Sequence, residues 1–188
     1  MYSQFFEYHD RLASQKQLGL VKSDLLPPFI TTLLNDPAME RSYKALVLTC
    51  LSGGLRISEA LALTKEDFTI ENGNLFLRSN VLKKRHKEKR WCRIHPLAQE
   101  FILSYITPIV GKIFKTSQST AFRHTRLHFG PHVCNHSLRH SNISYLLFEE
   151  NITHMKVAKL LHIGIHTIEH YAHLNEKRTL TELFNQGE

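Results

Sequence analysis

The sequence predicts a mainly α-helical domain with a small three-stranded antiparallel sheet inserted in it, an α+β fold. Apolar residues recur at helical spacing in several segments on both sides of the middle of the chain. Between residues 67 and 95 the period shortens, and short β-rich runs flank the turn pair Asn72-Gly73. No run approaches the roughly 18 consecutive apolar residues of a membrane span, so the helices are expected to pack on one another.

Residues 1–25 carry Phe5, Phe6, Tyr8, Leu12 and Leu18-Gly19-Leu20 in a weak pattern, read as a short helix or strap. Pro27-Pro28 before F-I-T-T-L-L-N predicts a helix with proline in its first turn, ending near Asn35. Residues 39–52 keep helical spacing and stop at Gly53-Gly54, and a short helix follows over 57–63. Residues 67–70 and 75–82 read as a hairpin, and 91–95 as a third strand before Pro96. Between them lies the charge run Lys83-Lys84-Arg85-His86-Lys87-Glu88-Lys89-Arg90, a solvated loop that could also serve as a basic finger on DNA. Helical pattern returns over 97–106, 117–129, 137–150, 154–162, 167–173 and 176–184, with Gly130-Pro131 as the clearest break.

A formal net charge of +7, before counting 13 histidines, favours a polyanionic partner, with nucleic acid ahead of a membrane surface. The first ten residues are mixed in charge and lack an apolar signal core. Three cysteines (Cys50, Cys92, Cys134) lie far apart without C-x-x-C spacing, which reads as reduced cytoplasmic thiols, not as a disulfide frame or zinc site. Despite the histidine count there is no H-E-x-x-H and no paired carboxylate set beside it, which argues against a metal hydrolase.

The chemistry-bearing residues concentrate between His136 and His173. His136 and Arg139 stand three apart, so a helix puts them on one face. His162 ends an apolar run, and Tyr171 follows it by nine residues. Far upstream, Arg56 lies between a Gly-Gly turn and a helix start, with Glu59 three residues on to pair with it. Two guanidiniums suit a phosphodiester whose nonbridging oxygens gain charge, because each donates two parallel hydrogen bonds and stays cationic. A phenol with a pKa near 10 can attack phosphorus when cations or a base help it lose its proton. Each group alone has a plain structural reading: ion pair, helix cap, helix end, core tyrosine.

Together, G-L-R-I-S-E at 54–59, H-S-L-R-H at 136–140, L-L-H at 160–162 and T-I-E-H-Y-A-H at 167–173 resemble the tyrosine recombinase (phage integrase) family, over about residues 26–175. The resemblance implies the catalytic-domain fold of that family and a site-specific recombinase that cuts and rejoins DNA through a 3′-phosphotyrosyl link. In that reading Arg56 and Arg139 clamp the scissile phosphate, His136 and His162 complete the pocket, and Tyr171 attacks. Glu59 buttresses. A hairpin lysine supplies the proton to the leaving oxygen; Lys83 is the first candidate, then Lys84, then Lys87. Bond energy is retained, so neither cofactor nor metal is implied.

Double-stranded DNA is the implied partner, contacted by Lys84, Arg85, Lys87, Lys89, Arg90, Arg123 and Arg126, with a homotetramer at synapsis, a monomer or weak oligomer otherwise, and a nucleoid-associated cytoplasmic location. Integration, excision, inversion and resolution are equally open. Two departures stand out: Leu161 occupies the place before His162 where the family has glycine, and 25 residues are too few for the separate DNA-clasping domain of most integrases. An excised catalytic domain, or a short stand-alone enzyme similar to the fimbrial-switch invertases, is expected, with residues 176–188 a tail that docks on a neighbouring protomer or on its own domain. The rivals are a type IB topoisomerase and a DNA-binding regulator without catalysis.

Overall fold

The computed structural model describes residues 1–11, 14–80, 89–168 and 171. The chain opens with a two-stranded antiparallel hairpin, β1 (Phe6–Arg11) and β2 (Ser14–Val21), where a helix or strap was expected. Tertiary cover decides this. The Gly19 N–H donates to the His132 carbonyl at 3.0 Å, and the Val21 N–H donates to Ser141 Oγ at 2.8 Å. A Cβ on Gly19 would stand 2.9 Å from Val133 Cγ2, so glycine is what lets β2 approach this closely. The aromatic residues of the segment then enter the main core: Tyr2, Phe5 and Phe6 each place a ring edge on Phe29, with centroids 5.5–5.8 Å apart.

Helices α1 (Leu26–Asn35) and α2 (Arg41–Gly53) form as the proline and glycine signals predict. Every residue from Tyr43 to Leu51 is buried, which makes α2 the axis of the fold. It ends where Gly54 turns left-handed at φ +57°. A single turn, α3 (Ile57–Ala60), follows, shorter than expected. The sheet is β3 (Phe68–Glu71), β4 (Asn74–Asn80) and β5 (Lys89–Arg93), antiparallel in that order. Asn72 and Gly73 both take positive φ (50° and 74°), the turn geometry that the Asn-Gly pair favours. Leu75, Leu77, Ser79, Arg90 and Cys92 face inward from β4 and β5, with Leu77 paired to Cys92.

Helices α4 (Pro96–Ile106), α5 (Gln118–Phe129), α6 (Asn135–Phe148) and α7 (His154–Leu161) follow the sheet. The Ser117 hydroxyl caps α5 by accepting the Thr120 N–H. Helix α6 begins two residues before the predicted start and packs along α2, so His136 lies inside its first turn and not ahead of it. One large core runs from Tyr2 to Leu138 in sequence. A second, smaller cluster joins Ile143, Leu147, Val157, Ala158, Leu161, Ile168 and Tyr171. The three cysteines are free, and among the described residues no helix is long and apolar enough to cross a membrane. The expected helix over 176–184 lies outside the described residues.

Candidate active site

The site begins at the end of α2. Gly54 caps that helix, and the next extended residue, Arg56, is the N-cap of α3. Glu59, in the first turn of α3, reaches back: its Oε2 accepts the Arg56 backbone N–H at 3.0 Å, and its Oε1 accepts Arg56 Nη1 at 2.7 Å. The same carboxylate meets two more guanidiniums. Arg90 Nη2 donates to Oε2 at 3.2 Å, and Arg139 Nη1 stands 3.7 Å from Oε2. One buried anion therefore holds three arginines. Burial pushes Glu59 towards the neutral form, but the Arg56 N–H, the Arg90 and Arg139 charges and the Arg56 guanidinium outweigh it and hold the carboxyl below its ordinary range.

Arg139 rises from α6 into this cluster and is only 2% exposed. Its Nη1 donates to the Gly54 carbonyl at 2.5 Å, and its Nη2 to the Leu161 carbonyl at 2.9 Å. One planar fork thus ties the end of α2 to the end of α7. Burial lowers the guanidinium pKa to about 10, with repulsion from Arg90 and Arg56 adding to it and Glu59 opposing, so the group stays charged at neutral pH. Arg56 is the accessible member, its side chain 21% exposed.

His162 follows Leu161 directly and takes the left-handed conformation itself (φ 50°, ψ 53°), closing α7. The left-handed turn falls on the histidine, and the Leu161 side chain packs into the second cluster. His136 is exposed on α6, one turn before His140, and the two rings meet edge to face with centroids 4.3 Å apart. His140 in turn stacks on Tyr171, with centroids 5.4 Å apart and ring planes 28° apart. Tyr171 is 4% exposed, and its buried hydroxyl has no hydrogen-bond partner among the described residues.

Arg56, Glu59 and Arg139 are thus joined directly, and His162 adjoins them through the Leu161 carbonyl. His136 and Tyr171 meet the cluster through α6, and the phenol oxygen is not hydrogen-bonded to the arginines. Arg90 is a correction. Expected on DNA, it is 3% exposed and turned inward, donating to the Gly53 and Gly54 carbonyls at 3.3 and 3.1 Å as well as to Glu59. The strand period explains it: Arg90, Cys92 and Ile94 alternate on the buried side, whereas Lys89, Trp91 and Arg93 face outward. Arg123 and Arg126 are exposed on α5, with the Arg126 guanidinium 4.5 Å from the Phe122 ring centroid. Lys83, Lys84, Arg85 and Lys87 lie outside the described residues. Sequence reasoning gave no role to His140, although its spacing of four from His136 was a signal that it shares that face.

No family model and no curated protein matches this sequence. Solved structures do. XerH site-specific recombinase bound to its palindromic difH substrate superposes with a TM-score of 0.66 at 19% identity, over 90% of this chain and 53% of XerH. XerA recombinase gives 0.67 at 18% identity, over 89% of this chain and 62% of XerA. The catalytic domain of bacteriophage HP1 integrase gives 0.58 at 20% identity, over 83% of this chain and 88% of that domain. The chain thus spans about half the length of XerH and most of the isolated HP1 catalytic domain. Its helices, its three-stranded sheet and the order in which they follow one another form the tyrosine recombinase catalytic-domain fold.

Proposed function

We propose that this chain is a site-specific DNA recombinase that cleaves and rejoins strands through a 3′-phosphotyrosyl intermediate. The observation that carries the reading is the cluster in which Glu59 gathers Arg56 and Arg139, on a fold shared with recombinases and integrases. Arg56 and Arg139 donate to the nonbridging oxygens, where charge grows in the pentacoordinate state. Tyr171 loses its proton and attacks phosphorus. The new O–P bond forms as the bond to the 5′ oxygen breaks, and a hairpin lysine, Lys83 first among the candidates, protonates that oxygen. His136 and His162 complete the donor set around the phosphate. A 5′ hydroxyl from a second strand reverses the step, so the phosphodiester count is unchanged and the guanidiniums carry the charge without a metal.

The Tyr171 hydroxyl is covered and Arg139 is engaged by two carbonyls, so the proposed attack requires both groups to be freed towards the phosphate. DNA binding has to turn the phenol towards the phosphate. Lys84, Arg85, Lys87, Lys89, Arg123 and Arg126 are the bases assigned to the DNA backbone, and a homotetramer is the assembly that pairs two sites. The test is covalent trapping on nicked duplexes from the protein's own locus. A denaturant-resistant adduct that Tyr171→Phe abolishes is the expected result. DNA binding without an adduct on any duplex, from wild type, would favour a regulatory DNA-binding role.

A further inference from the structure

Resting on the reading of Tyr171 as nucleophile, we propose that His140 is a positioning residue whose imidazole face orients the Tyr171 ring. Tyr171 has no polar anchor among the described residues, since its hydroxyl is buried and unpartnered. What sets the ring is apolar packing in the small cluster with Ile143, Leu161 and Ile168, and the His140 face, 5.4 Å away and inclined by 28°. An offset stack at this distance resists rotation of the phenol about its own axis and tilt away from the helix. His140 also follows Arg139 directly, and α6 is fixed to the rest of the molecule by buried Leu138, Ser141 and Asn142. The helix that presents the guanidinium therefore also locates the attacking ring. His136, one turn earlier, meets the His140 ring edge to face with centroids 4.3 Å apart.

Orientation matters because attack in line with the leaving oxygen tolerates little displacement, and a misplacement of about 1 Å can cost about a hundredfold in rate. The contribution of His140 is a flat ring, not a proton, so phenylalanine can replace it and alanine cannot.

The experiment measures single-turnover adduct formation on a nicked duplex for wild type, His140→Ala and His140→Phe, with duplex affinity and thermal unfolding measured alongside. His140→Ala is expected to slow adduct formation about tenfold or more, with DNA affinity unchanged. His140→Phe is expected to recover most of the rate. Wild-type speed in His140→Ala would overturn the proposal. So would a His140→Phe enzyme as slow as the alanine variant while folded, because that assigns the role to a ring nitrogen. If the alanine variant unfolds, the phenylalanine variant decides alone by the same two outcomes. Absence of an adduct from wild type overturns the nucleophile assignment itself, which is a separate and recognisable failure.

Discussion

Gly54 offers the sharpest test of how the site is built. It sits at φ +57°, its carbonyl receives Arg90 and Arg139, and a Cβ there would stand 2.5 Å from Asn142 Oδ1 and 3.1 Å from Leu161 Cδ2. The Asn142 amide cannot simply swing away, because its Nδ2 donates to the Ser52 carbonyl at 3.0 Å. Gly54→Ala therefore incurs about 1–2 kcal/mol for a left-handed non-glycine residue. Breaking the Asn142 bond adds about 1 kcal/mol, and displacing packed neighbours at least about 1 kcal/mol more. A total of about 3–4 kcal/mol is a large fraction of the roughly 5–15 kcal/mol that holds a domain together. Gly73 is the control: it has φ +74° but nothing within 4 Å of an added Cβ, so Gly73→Ala incurs only the conformational cost, about 1–2 kcal/mol. Urea unfolding of both variants compares them directly. Equal destabilisation would show that the Gly54 surroundings yield freely, and would refute the view that α2, α6 and α7 are locked at this point.

Glu59→Gln leaves three guanidiniums facing one another around a neutral amide, with an expected loss of about 3–5 kcal/mol, measured by the same unfolding assay. The wild-type carboxyl titrates lower in the folded chain than in the unfolded one, so its stabilisation is complete above the ordinary carboxylate range. That contribution disappears as pH falls through the depressed folded-state value. The slope of stability against pH over that window should flatten in Glu59→Gln, and an unchanged slope would contradict the assignment. Arg123→Ala and Arg126→Ala should each weaken duplex binding and reduce the salt slope of affinity by about one unit. Arg90→Met should instead lower stability and leave that slope alone; a reduced slope in a folded Arg90→Met would return Arg90 to the DNA face.

The helices and the sheet were legible because their signals are local. Pro27-Pro28, Gly53-Gly54 and Asn72-Gly73 each act within a turn of their own position, and each element forms beside its signal. The amino-terminal hairpin was not legible, because the groups that fix it, His132 and Ser141, lie more than a hundred residues away. Arg56, Glu59 and Arg139 could be grouped through a resemblance, and the i,i+3 spacing gave the Arg56–Glu59 pair directly. Arg90 was misread because a run of bases suggests a solvated loop, while the inward phase of β5 overrides composition at its end. The contact between His140 and Tyr171 needed the fold, since it depends on where the chain after α7 returns to α6.

That return explains the division of the core. The large cluster fixes α2, the sheet and the base of α6, and so fixes Gly54, Arg56 and Glu59. Tyr171 belongs to the second cluster, which among the described residues joins α7 and the far half of α6 with Ile168. Arg139 bridges the two by donating to Gly54 on one side and Leu161 on the other. On the proposed reading, a phosphate arriving at Arg56 would compete with the Gly54 and Leu161 carbonyls for the Arg139 donors. Drawing Nη2 from Leu161 would loosen the end of α7, the end that carries His162 and the chain leading to Tyr171. On the proposed reading, anion binding beside Arg56 would lower the cost of releasing the phenol from the second cluster, coupling occupancy of the pocket to exposure of Tyr171.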